Sequence, residues 1–135
     1  MTKVTRIGVS VPTGLLKDFD ETTRRMGYRD RSKAIHVAMR NLITEYQWMH
    51  EEEGTQTGAV VILFDHTVRG LEDALTDVQH DFMRIISSTM HIHLDEQNCL
   101  EIIAVRGESK TIKAFAQKLA GIRGIKQLKV AITHV

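Results

Sequence analysis

The chain has one cysteine, one proline and few aromatic residues among its 135, and each scarcity excludes something. A single cysteine cannot form an internal disulfide, so in a reducing compartment its thiol stays available for metal. No apolar run is long enough to cross a bilayer, and no basic, apolar, small-residue leader opens the chain. A cytoplasmic protein with no membrane partner is therefore expected. An excess of either sign of charge is also lacking, with a net of +1, but the balance is uneven along the chain. Residues 1–50 carry nine Lys or Arg against five Asp or Glu, and the remainder carries nine against twelve. A basic front half favours a polyanionic partner.

What is present divides at a polar, glycine-bearing stretch. Arg6 to Val11 alternates strictly, with Ile7, Val9 and Val11 on one face and Arg6, Gly8 and Ser10 on the other, as a short amphipathic strand does. Pro12 ends it and suits the first turn of a helix through Leu15, Leu16, Phe19 and Met26, with Gly27 as its C-terminal cap. Asp30 is placed to cap a second helix carrying Ile35, Met39, Leu42, Tyr46 and Met49 at three- and four-residue spacing. Glu51 to Gly58 reads as the end of that helix running into a linker. The expected division is a first domain over 1–53, a linker over 54–58 and a second domain over 59–135.

The second part reads strand, helix, strand, strand, helix, strand. Ala59 to Phe64 is a continuous apolar run, and Val68 to Ile86 is helical through Leu71, Leu75, Val78, Phe82 and Ile85, with His80 near its end. A later helix starts from a Ser109 cap and runs to Gly121 or Gly124, and Ile125 to Thr133 makes the last strand. Between them lies the stretch with chemical interest. Thr89 to Leu94 alternates so that His91 and His93 share a face, Asp95 to Asn98 forms the turn, and Cys99 to Val105 returns. Only one register lets the ligand types meet. If His93 faces Cys99 across a five-residue connection, His91 faces Glu101 and all four polar groups lie on one side, whereas a one-residue slip turns the thiol away.

One strand and two helices cannot close a core alone, so two copies are expected to pair their strands antiparallel. That order resembles the ribbon-helix-helix module, and the second part resembles a ferredoxin-like, ACT-type βαββαβ domain. The fold class expected is thus α+β. With Gln79-His80, His91-x-His93 and Cys99-x-Glu101, together with Arg29-Asp30-Arg31-Ser32 and Leu94-Asp95-Glu96, the chain resembles the nickel-responsive transcriptional regulators of the NikR family. The resemblance implies Ni(II), one per subunit, in a square plane of three imidazoles and one thiolate: His91, His93 and Cys99 from one chain and His80 from a neighbouring chain. Gln79 and Glu101 would support the ligands from behind. It further implies a homotetramer, built as a dimer of dimers, that represses nickel uptake by binding a palindromic double-stranded DNA operator of two half-sites. Arg6, Gly8 and Ser10 would face the bases, and Arg31, Ser32 and Lys33 the phosphates.

Three positions depart from the family pattern. Lys33 and Val37 stand where many members carry acidic residues described as part of a second cation site, so that site is not transferred. Lys33 opposes the macrodipole in the first helical turn; it meets a DNA phosphate, replaces the missing cation, or is simply solvated. Gly8 offers no side chain where a small hydroxyl residue is usual, leaving Arg6 and Ser10 as direct readers. His36, His50, His66 and His134 read as surface or packing residues, His66 being the one alternative ligand candidate. A ribbon-helix-helix repressor sensing another metal or an amino acid is the alternative reading. An enzyme is not expected, because four protein ligands close the metal's shell.

Overall fold

The computed structural model describes residues 3–50 and 53–133; His134, Glu51 and Glu52 lie outside them. Two compact units are present, Met1–Arg40 and Asn41–Val135, and each has its own construction.

In the first unit, α1 spans Thr13–Arg25 and begins directly after Pro12, whose fixed φ and missing N–H are tolerated at a helix start. It ends in a Schellman turn: Gly27 N–H donates to Arg24 O, Tyr28 N–H donates to Thr23 O, and Gly27 takes φ 93°. Helix α2, Arg31–Met49, starts in this unit and continues past its end at Arg40; it is capped as expected by Asp30, whose Oδ1 accepts from Lys33 N at 2.7 Å. Residues 6–11 make no ladder in the single chain, and Val4, Ile7 and Val9 are 88%, 67% and 73% exposed. Their alternation has no strand to pair with inside one chain, which is why no strand forms there.

The second unit holds a four-stranded antiparallel sheet in the order β2-β3-β1-β4, built from β1 (Thr55–Asp65), β2 (Ile86–His93), β3 (Asn98–Glu108) and β4 (Ile125–Thr133). Helices α3 (Leu71–Asp81) and α4 (Ser109–Ala120) supply Leu71, Leu75, Ile112, Phe115 and Leu119 to a core with Val60, Ile62, Phe64, Cys99 and Ile103. This is the ferredoxin-like arrangement. The opposite sheet face carries Val61, Leu63, Leu100 and Ile102 half-buried, beside exposed Met90 and Ile92.

Three boundaries differ from the sequence reading. Residues 55–58, read as linker, are the first rungs of β1: Gln56 is buried, and Gly58 lies so close to the β4 backbone that a Cβ would overlap Ala131 O. Here glycine marks close strand approach rather than a loop. Helix α3 covers 71–81 rather than 68–86, because Gly70 takes φ 82° at its start and Phe82 leaves the helical region at its end. Ile86 then joins β2 opposite Val105. Ser109 is not the cap of α4 but its first, fully buried residue, with Glu108 in the flanking extended conformation.

Candidate metal centre

The hairpin between β2 and β3 takes the one register that joins the donors. His93 pairs with Cys99 and His91 with Glu101, so all four side chains sit on the helix-covered face. The connecting turn is held by Asp95, whose carboxylate accepts from the N–H groups of Gln97 and Asn98 and from Asn98 Nδ2, which draws its pKa below the ordinary range. A second tie fastens the turn to the end of β1. Gln97 Nε2 donates to Asp65 Oδ2 at 2.6 Å, and His66 N–H donates to Gln97 O. The Gln97 side-chain bond, with two from Thr67, lowers the Asp65 carboxyl to about 2.

Donor atoms of His91, His93 and Cys99 all lie within 4.8 Å of one another, and Cys99 Sγ is 3.3 Å from His93 Nδ1. Bonds of about 2.0 Å to nitrogen and about 2.3 Å to sulfur put two donors roughly 3 Å apart at adjacent corners of one ion's shell and a little over 4 Å apart across it. The three residues present fit a borderline divalent ion, thiolate and imidazole being its usual partners. The imidazole rings of His91 and His93 stack at 5.0 Å, and both residues are exposed, so the donors open outward from a buried sulfur. Burial, with the carboxylates of Glu72 and Asp95 adding to it, pushes the Cys99 thiol above its ordinary value. A metal must displace that proton, which makes its affinity fall as pH falls.

Behind the donors stand groups that restrain them. Glu101 is 7% exposed, and its Oε1 accepts from Gln79 Nε2 at 2.5 Å while Oε2 lies 4.0 Å from His91 Nδ1. The buried Phe64 ring meets the edge of His91 at 5.6 Å, a contact that a position inside a plain apolar run does not announce. His80 is exposed near the end of α3 and is not in the donor group. His66 is half-buried, its ring 6.2 Å from that of His93, and it too stands outside the group.

The other singled-out residues belong to the first unit. Arg6, Gly8 and Ser10 are exposed, and open space surrounds the position of a Gly8 Cβ. Arg31, Ser32 and Lys33 are exposed at the start of α2. Arg31 has a partner that its sequence neighbours did not suggest: Nε and Nη2 donate to the two carboxylate oxygens of Asp20 on α1, at 3.0 and 2.7 Å.

Comparison with known proteins agrees with this construction. Residues 57–133 match the NikR C terminal nickel binding domain. The chain is 45% identical over 130 residues to a protein of Methanothrix thermoacetophila named "Putative nickel-responsive regulator", covering 96% of this chain and 93% of that one. A protein of the same name from Methanocella arvoryzae is 46% identical over 125 residues, covering 93% and 89%. Among solved structures, an uncharacterized protein of Thermotoga maritima, TM1266, shares the fold alone, with a TM-score of 0.54 and 16% identity over 58% of this chain and 98% of that one. With a nickel-binding domain matched over more than half its length and relatives alike over more than nine-tenths of it, the chain belongs to the NikR family of nickel-responsive regulators.

Proposed function

We propose that this protein is a nickel-responsive DNA-binding repressor in which a shared metal ion sets operator affinity. The observation that carries the reading is the gathering of His91, His93 and Cys99 on one hairpin inside a nickel-binding domain. Three donors leave one position of a four-coordinate shell to be filled. An exposed imidazole of a neighbouring chain, His80, fills it in this reading and completes a square plane of three nitrogens and one sulfur, one ion per subunit. Bound there, nickel supplies no reaction, only a bond between chains. Raw affinity for such donors is higher for copper than for nickel, so selectivity in the cell rests partly on availability. Gln79 and Glu101 hold His91 in place from behind, as their mutual hydrogen bond supports.

The assembly is a homotetramer, a dimer of dimers. Two apolar surfaces support it, the exposed row at Ile7, Val9 and Val11 and the uncovered sheet face around Ile92 and Ile102. Paired residues 6–11 form the antiparallel ribbon that enters the major groove, Arg6 and Ser10 reaching base edges and Gly8 only its backbone. Ser32 and Lys33 meet phosphate at the start of α2, in a cytoplasmic protein that binds a palindromic operator of two half-sites. The first domain is 1–53 in this scheme, and the second begins with β1 at Thr55 rather than at 59.

Linkage then fixes the response. If nickel favours the arrangement that fits the operator, DNA must raise nickel affinity by the same factor. The test is binding of chelated and nickel-loaded protein to DNA upstream of its own gene and of nearby metal-uptake genes. Nickel is expected to tighten binding, and equal binding after thorough chelation would refute the switch.

A further inference from the structure

The Arg31–Asp20 pair invites a question that the metal centre does not: why the first residue of α2, at the end expected to meet DNA, has its guanidinium already engaged. The bond is two-pronged, the geometry with which a guanidinium also grips a phosphate. Its side chains are 53% and 39% exposed, and ion pairs in such surroundings contribute little to stability. The corner between the helices is fixed by other means, the Schellman turn at Gly27 and the Asp30 cap. A contact that is well formed yet unneeded for the corner is cheap to exchange.

We propose that Asp20 is a resident competitor for phosphate: it holds Arg31 in the free protein, and Arg31 passes to a backbone phosphate when the start of α2 meets an operator duplex. The inference rests on the DNA-binding reading above and adds a regulation to it. Arg24, one helical turn beyond Asp20 on α1, is positioned to take up the released carboxylate. Because any phosphate must displace Asp20 first, Arg31 stays with Asp20 on DNA of arbitrary sequence, where no base contact holds the start of α2 against one phosphate, and passes to phosphate on an operator whose base contacts hold it there. That difference between the two complexes, and not the competition alone, is what gives discrimination.

The test uses the full chain, nickel-loaded, in four forms: Asp20→Asn, Arg31→Ala, the double variant, and Asp18→Asn as a control with the same change in net charge. Asp18 is exposed on the same helix and makes no such contact with Arg31. On a duplex of arbitrary sequence, Asp20→Asn is expected to bind more tightly than Asp18→Asn. Its plot of log affinity against log salt should steepen by roughly one unit, about a fourfold extra loss between about 50 and 200 mM salt. A heparin column reads the same event without DNA, with Asp20→Asn eluting at higher salt than Asp18→Asn. Both gains should vanish when Arg31→Ala is added. If the chain binds no duplex at all, the DNA reading fails, and heparin elution alone decides whether Asp20 restrains Arg31. Elution of Asp20→Asn level with Asp18→Asn, or a gain that survives Arg31→Ala, overturns the proposal.

Discussion

The hairpin of β2 and β3 and the stretch of residues 4–11 are both short, alternating segments, yet one is complete within a single chain and the other is not. The hairpin finds its ladder, its turn bonds and three metal donors without help. The N-terminal stretch has the same alternation but no strand beside it, and its apolar row faces solvent. Alternation specifies a face, while pairing requires a partner. The difference teaches where a second copy would have something to complete: the second unit has a core of its own, whereas residues 6–11 have an apolar row with no strand beside it.

The largest effect should follow from breaking the self-sufficient side. Phe115→Ala removes a fully buried ring and should destabilise the protein by about 3–5 kcal/mol, read by urea unfolding. Next comes the donor set. Cys99→Ala should leave the chain folded but weaken nickel binding at least about a hundredfold, since losing even a group behind a ligand costs about 10–100-fold. Absence of a thiolate charge-transfer band in a nickel titration checks it.

On the incomplete side, Val9→Lys should remove from each chain of the proposed ribbon an apolar burial of about 1.5–3 kcal/mol. Weaker assembly in sedimentation, with the nickel spectrum kept, is the expected result. The smallest effect belongs to the tie at the turn. Asp65 has its pKa lowered from 3.8 to about 2 by folding, so its contribution is present above 3.8 and is lost as pH falls toward 2. Asp65→Asn should flatten that acid limb of an unfolding profile and change little near neutrality.

Much of this was legible in the residues, for identifiable reasons. The register of the hairpin could be read because polar donors alternate with apolar residues and a slip would bury the wrong set. The last strand, Ile125–Thr133, and the cap at Asp30 were equally readable from local chemistry. The ends of α3 were not, because Val68, Ile85 and Ile86 continue the helical apolar spacing while a left-handed Gly70 and tertiary pairing of Ile86 stop it. Nor was the start of β1, where Thr55-Gln56-Thr57-Gly58 looks like a linker until β3 and β4 flank it. At the candidate metal centre His91, His93 and Cys99 were visible in the spacing, whereas the Phe64–His91 contact there, and the Asp20–Arg31 pair at the start of α2, depend on tertiary contacts that no local pattern encodes.

The claim that an ion is shared between chains can be tested by complementation. His80→Ala and Cys99→Ala chains each lack a donor, but an assembly that mixes them restores whole sites, with the thiolate hairpin from one and the imidazole from the other. The account predicts that neither variant alone gives the normal nickel–thiolate absorption and that co-refolding the two recovers a fraction of it. Full absorption from His80→Ala alone, or none from the mixture, would contradict it.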